Sequence, residues 1–190
     1  MDEGAGQGAV NDVASHAIAP DIALVTAVTV RARRAEFAEL LADAMRNGAS
    51  VGFVLPVDMP AIERFWEGIA ADVERGERFV LTIEHARKIV GTVQLAPCAK
   101  ANGRHRGEVQ KLLVHSGAQR AGRARSLMTA VEALAVRQGL SLLLLDTREQ
   151  SAADTLYRGS GWQSYGRVPD YAADPDGTLA GCTFFYKQLA

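Results

Sequence analysis

The chain has 190 residues, of which 48% are hydrophobic and 23% charged, with a formal net charge of −1. That length suits one domain on a single core better than two. The even charge balance leaves no electrostatic footprint for nucleic acid or an anionic membrane, so neither is expected as a partner and any basic feature has to be local.

Residues 1–20 are rich in Gly, Ala and polar residues, and Asp2 and Glu3 stand where a signal peptide would want positive charge. The expected organisation is a mobile tail over 1–20 followed by one domain over 21–190. No run approaches the roughly 20 apolar residues that span a bilayer. Cys98 and Cys182 are far apart and lack metal-type spacing. They read as packed or partly exposed thiols of a cytoplasmic protein, and no metal is expected.

Residues 22–30, rich in Val, Ile and Ala, predict a first strand. Phe37, Leu40, Leu41, Ala44 and Met45 then recur at helical spacing, with Asn47-Gly48 as a stop. A second helix starts near Asp58 and Pro60. It carries Ile62, Phe65, Trp66, Ile69 and Val73 on one face and ends at Arg75-Gly76. Residues 78–84 and 88–97 make a hairpin, and a strand over 108–115 follows the loop at Asn102-Gly103. Short connections make this part of the sheet antiparallel.

The pattern then changes. Ala124, Leu127, Met128, Val131, Leu134 and Ala135 trace an amphipathic helix closed by Gly139, and residues 140–145 are almost purely leucine. A short apolar run after a helix reads as a parallel strand buried on both faces. Residues 108–146 therefore form one right-handed crossover unit. A short helix over 152–158, the pair Gly161-Trp162 and strands over 163–167 and 182–189 complete the chain. The predicted class is α/β: a mixed, mostly antiparallel central sheet with one parallel βαβ unit and helices on both faces. There is no internal repeat.

The informative stretch is Gln119-Arg120-Ala121-Gly122-Arg123-Ala124, between the strand and the helix. Backbone N–H groups at a helix N-terminus lack partners, and the helix dipole favours an anion there. Gly122 and the two alanines keep the approach open. Arg120, Arg123 and Arg125 crowd an end where each cation costs about 0.3–1 kcal/mol, which makes sense if an anion sits among them. The plain alternative is a solvated basic helix start. Neither Gly-x-Gly-x-x-Gly nor Gly-Lys-Ser/Thr is present, so the dinucleotide and triphosphate motifs are excluded.

In these residues the chain resembles the GNAT acetyltransferases, whose Gln/Arg-x-x-Gly-x-Gly/Ala loop holds the pyrophosphate of acetyl-CoA. Gln119, Gly122 and Ala124 fill those positions five, eight and ten residues after Val114. The later family pairs appear, in order, as Leu156-Tyr157 and Gly161-Trp162. Over residues 48–189 the segments Gly48-Ala49-Ser50-Val51-Gly52-Phe53, Glu108-Val109-Gln110-Lys111-Leu112, Leu145-Asp146-Thr147 and Pro175-Asp176-Gly177 look like the tabtoxin-resistance branch, which acetylates an amino-acid β-lactam toxin. Ser116 stands where a proline is usual there, and Ala124 replaces a glycine.

The resemblance implies an acetyl-CoA-dependent transfer to a primary amine, an amino-acid-like antibiotic or toxin among the acceptors. Homodimers are common among such relatives. The alternatives are a protein lysine or N-terminal acetyltransferase and a non-catalytic acyl-CoA-binding domain.

A neutral amine has to attack a polarised thioester, so a base is useful. Glu108, eleven residues before Gln119, matches the base glutamate of some relatives. Asp146, at the end of the leucine run, resembles a second acid proposed as base; an ordinary helix cap is the other reading. Tyr157 resembles the general acid for the departing thiolate. By the same resemblance, backbone amides of Leu113 and Val114 polarise the thioester, and Gln119, Arg120, Ala121, Gly122, Arg123 and Ala124 hold the pyrophosphate. No cysteine nucleophile is needed. His85, His105 and His115 do not cluster as metal ligands. Trp66 is either core or a wall of the substrate cleft, and residues 170–177 either lie near the acceptor or form an exposed turn.

Overall fold

The computed structural model describes residues 16–19 and 21–189. Most of the segment expected to be a tail lies outside those residues, but His16–Ala19 form strand β1. The other elements follow in chain order: β2 Ile22–Val25, α1 Ala27–Ala32, α2 Arg34–Arg46, α3 Met59–Glu74, β3 Phe79–His85, β4 Lys88–Pro97, β5 Arg106–Val114, α4 Arg123–Arg137, β6 Leu142–Arg148, α5 Ala152–Arg158, β7 Gln163–Ala173 and β8 Leu179–Gln188.

The strands make one sheet in the order β1-β2-β3-β4-β5-β6-β8-β7. Every neighbouring pair is antiparallel except β5 and β6, which α4 connects as a crossover. This is the expected mixed sheet with one parallel unit.

Several elements differ from expectation, among them β8, which begins at Leu179 and not at 182. The first strand stops at Val25, because Thr26 accepts a 3.2 Å hydrogen bond from Thr29 N and caps α1. Local capping there overrides the β-branched composition. β6 runs on past the leucines to Arg148, since β8 pairs with it as far as Arg148 opposite Cys182. Asp146 is therefore a strand residue and not a helix cap. β7 extends to Ala173, so the expected 170–177 loop shrinks to a turn between Ala173 and Leu179.

The sheet separates two cores, where one continuous core was expected. Leu127, Val131 and Leu134 of α4 pack on Leu143, Leu145 and Phe185 on one face. On the other, Phe37 and Leu41 of α2 join Ile62 and Trp66 of α3 against Val80. Trp66 is fully buried and lies 4.6 Å from the Phe37 ring, which settles it as core. Burying each such side chain contributes about 1.5–3 kcal/mol. α3 is well delimited: Asp58 Oδ1 accepts from Ala61 N at 3.0 Å, and Pro60 sits in the first turn.

Candidate active site

β5 and β6 pair only over their first residues, from Arg106–Leu142 to Glu108–Leu144. Beyond Glu108, β5 continues to Val114 and β6 to Arg148 without pairing to each other. A wedge therefore opens in the middle of the sheet. Strand alternation decides what faces each side of it. Leu143 and Leu145 point into the α4 core. Glu108, Leu144 and Asp146 point to the opposite face, and Phe184 lies across from Asp146 on β8.

A bulge lies beside the wedge. Thr92 pairs with Leu113 and Gln94 with Gln110, so Lys111 and Leu112 together oppose the single residue Val93. Lys111 has φ of 50°, an uncommon region for a residue with a side chain. The extra residue reverses the alternation. Val109 belongs to the α4 core, whereas Leu113 belongs to the core under α2 and α3. Bulges leave backbone groups off the ladder, and this one lies beside Leu113 and Val114, where the thioester-polarising amides were expected. Nothing in the residue types Lys-Leu announces it.

The two acids differ. Glu108 is exposed. Solvent also reaches Asp146, yet protein crowds its other sides, and that burial raises its carboxyl above the usual range. The like charge of Glu108 adds to the rise, while Lys111 and a hydrogen bond with Cys182 hold it back. The Cys182 thiol is in turn pushed up to about 11, chiefly by burial and then by the Asp146 charge. Cys182 falls in none of the sequence motifs; strand register brings it beside a candidate base.

Tyr157 lies on the α4 side of the sheet. It is 5% exposed, with Trp162 at 6.0 Å and Phe185 at 5.9 Å between ring centroids. Its hydroxyl is held above the usual tyrosine range by burial first and by the Asp146 charge second. The tyrosine and the aspartate thus feel one another although they belong to opposite faces.

The N-terminus of α4 is open. Gly122 is its N-cap, with φ of 75° and no side-chain cap, whereas Thr26, Asp58 and Ser151 cap α1, α3 and α5. The first i→i−4 bond runs from Ser126 N to Gly122 O, so the preceding amides of the turn have no helical partner. No atom lies within 4 Å of where a Gly122 Cβ would be. Ala121 and Arg120 are exposed and Ala124 half-buried.

Two side chains brace this loop. Gln119 Nε2 donates to Val114 O at 3.1 Å, and Arg123 Nη1 donates to Ala118 O at 2.7 Å. Arg123 is therefore engaged with its own loop, whereas Arg120 makes no hydrogen bond or ion pair among the described residues. Arg125 faces a separate cavity of about 230 Å³ lined also by Met128, Thr129, Glu132 and Lys187.

The face carrying Glu108 and Asp146 has a roof. Ser50 Oγ donates to Ala173 O at 3.1 Å, and Leu55 N donates to Pro175 O at 2.7 Å. The loop over 47–58 is thereby tied to the β7–β8 turn. Arg148 Nε holds the same turn through Asp174 at 2.9 and 2.7 Å. Phe53 packs edge-on against Phe65 at 5.6 Å, and the Lys111 ammonium sits 5.6 Å from the Phe65 centroid. Phe65, not Trp66, is the aromatic that meets the cleft. Among the described residues no group of three or more His, Cys, Asp or Glu side chains could hold a metal.

The sequence model of the acetyltransferase (GNAT) family matches residues 34–162. The chain belongs to the GNAT family. Acetyl transfer is the chemistry for which that family is named.

Among curated GNAT relatives, an uncharacterized N-acetyltransferase from the hisH-hisA intergenic region of Azospirillum brasilense is 34% identical over 109 residues. That match spans 56% of this chain and 63% of the relative's own length. Solved GNAT folds superpose over nearly the whole domain. The ribosomal-protein-alanine N-acetyltransferase of Brucella melitensis gives a TM-score of 0.70 at 22% identity, covering 88% of this chain and 99% of its own. Salmonella typhimurium yncA, solved with its cofactor acetyl-CoA, gives 0.71 at 21% identity, covering 89% and 93%. Such identities establish the shared fold. Among the described residues no helix is long and apolar enough to cross a membrane.

Proposed function

We propose that the protein transfers the acetyl group of acetyl-CoA to the primary amine of a small molecule, by direct attack within a ternary complex in the cytoplasm. The observation that carries this reading is the wedge between β5 and β6. It has two carboxylates on one face, a buried tyrosine on the other, and an uncapped helix N-terminus beyond its open end.

The amides at the start of α4, with Arg120, would hold the pyrophosphate. Those beside the Lys111 bulge would polarise the thioester carbonyl. Asp146, made more basic by its surroundings, would take the proton from the acceptor ammonium, with Glu108 holding that ammonium by charge. The freed nitrogen forms the new C–N bond as the C–S bond breaks. The nitrogen loses its second proton as the amide forms; Tyr157 would protonate the departing sulfur and be reprotonated by that proton through water, while Asp146 releases its own to solvent. Neither cysteine takes part covalently.

The roof made by residues 50–55 and the β7–β8 turn supports a small acceptor over a peptide laid across the cleft. Protein N-termini remain the second reading, favoured by the likeness to the Brucella ribosomal-protein enzyme. An amino-acid-like antibiotic or toxin belongs to the first reading, by the tabtoxin-type segments quoted above.

The test is CoA release from acetyl-CoA offered amino acids, a β-lactam amino acid, aminoglycosides, polyamines and short peptides. Release with a small amine supports the proposal. Release only with peptides transfers it to the second reading, and acetyl-CoA binding without release from any acceptor would point to the non-catalytic alternative.

A further inference from the structure

The acceptor face holds a cation that the proposed chemistry does not use. Lys111 Nζ has no ion pair and no hydrogen bond among the described residues. It is half-buried over the Phe65 ring, and a Cβ on Gly52 would lie 3.5 Å from it. The charges acting on it are those of Asp146, Arg78 and Glu108. Arg78 is already engaged: it donates to Gln94 Oε1 at 2.8 Å and Gln110 Oε1 at 2.7 Å, and pairs with Asp72 at 3.2 Å. Asp146 and Glu108 act on Lys111 from beyond ion-pair distance.

A cleft built for a plain alkyl amine gains nothing from such a group. The ammonium would repel the incoming cation and weaken the pull of the two carboxylates. Burial lowers the Lys111 pKa, so the charge is held at a cost that an anion in contact would offset. The position is also fixed, because the bulge sets the backbone at φ of 50° and the stem lies along the aromatic wall.

Resting on the amine-acetyltransferase reading above, we infer that Lys111 is a specificity residue that binds a carboxylate carried by the acceptor. The acceptor is then a zwitterion, with its amine directed to Asp146 and Glu108 and its acid group to Lys111. A carboxylate suits the site better than a phosphate. One ammonium balances one negative charge, and a dianion beside Glu108 and Asp146 would leave the cleft with uncompensated charge.

The test compares matched acceptors that differ only in the acid group: an amino acid, its primary amide and its decarboxylated amine. The readout is the ratio of kcat/KM for acid over amide. In the wild type that ratio should exceed one by roughly 10- to 100-fold, the worth of a charge-assisted contact. Lys111→Met, which keeps the stem over Phe65, should collapse the ratio towards one, mainly through KM of the acid. Lys111→Arg should restore most of it. Acetyl-CoA binding by calorimetry shows that each variant is folded. A wild-type ratio near one, or a ratio unchanged in Lys111→Met, overturns the inference and leaves the acetyltransferase reading standing. Failure of every small amine while peptides are acetylated overturns that reading and this inference with it.

Discussion

Asp43, within α2, accepts two 2.7 Å hydrogen bonds from Ser116, one from the backbone N–H and one from the hydroxyl. Asn47 Nδ2 adds a third at 3.2 Å, and His115 Nε2 lies 3.9 Å away. Asp43 is only 9% exposed as a residue, so its charge depends on these donors. The contact fastens the helical layer over one face to the turn that leads into residues 119–124. A proline at position 116 would offer neither donor.

Asp43→Ala should therefore strip Ser116 of both partners and loosen the turn. We expect a loss of about 1–3 kcal/mol in stability, and weaker acetyl-CoA binding by calorimetry. Ser116→Pro should produce the same pair of effects. An unchanged melting temperature in both variants would show that the contact contributes nothing.

The acids predict a pH signature. If Asp146 accepts the proton, activity requires its carboxylate and fails as pH falls through its raised pKa. Glu108 raises that pKa and Lys111 lowers it. Glu108→Gln should then move the acid limb of kcat/KM to lower pH, and Lys111→Met should move it to higher pH. Asp146→Asn should lower kcat by roughly 10²- to 10⁴-fold. Limbs that stay fixed in both neighbour variants would remove Asp146 from the role.

Tyr157→Phe should leave acetyl-CoA affinity close to wild type and reduce kcat by about 10²-fold, the low end for an acid catalyst, because a thiolate needs little help to leave. Its hydroxyl is held above the usual range, so it stays protonated across ordinary assay pH. A basic limb near neutrality that disappeared in the phenylalanine variant would contradict that assignment.

At Gly122 the expectation separates folding from binding. The backbone has φ of 75°, so alanine carries a strain of about 1–2 kcal/mol, but its methyl meets no neighbour. Gly122→Ala should fold with a modestly lower melting temperature. Its KM for acetyl-CoA should rise further than strain alone explains, because the methyl occupies the approach to the open amides. Equal KM values would mean that the anion does not come to this turn.

Most of the scaffold was legible in the sequence, for reasons that can be traced. The 3.6-residue pattern marks α3, with Asp58 at its start, and α4 to within a residue or two, and Asn47-Gly48 marks the end of α2, whose start at Arg34 lies three residues before the first periodic residue, Phe37. α5 falls where Ala152 to Arg158 predicted it. The leucine run marks the parallel partner, but it is not buried on both faces as expected: Leu143 and Leu145 lie in the core, while Leu142 and Leu144 are half-buried and Asp146 is exposed. What stayed hidden depends on partners distant in sequence. Asp146 became a strand residue only because Phe184 pairs with it. Thr26 ended a β-like run by capping a helix. Glu108, Asp146 and Tyr157 were found through motif resemblance, while Lys111, Phe65 and Cys182 were not singled out for the site, since a bulge and a cross-strand diagonal leave no local signature.

The bulge at Lys111 makes β5 an odd-numbered joint between two phases. Before it the odd-numbered Val109 faces the α4 core; after it the even-numbered Leu112 and Val114 do, and the odd-numbered Leu113 joins the core of α2 and α3. A single deletion at 111 or 112 would be far more damaging than any substitution there, because it would turn every later residue of the strand inside out. The same count holds for insertions. The length of this strand is thus a quantity the protein has to preserve, whatever side chains occupy it.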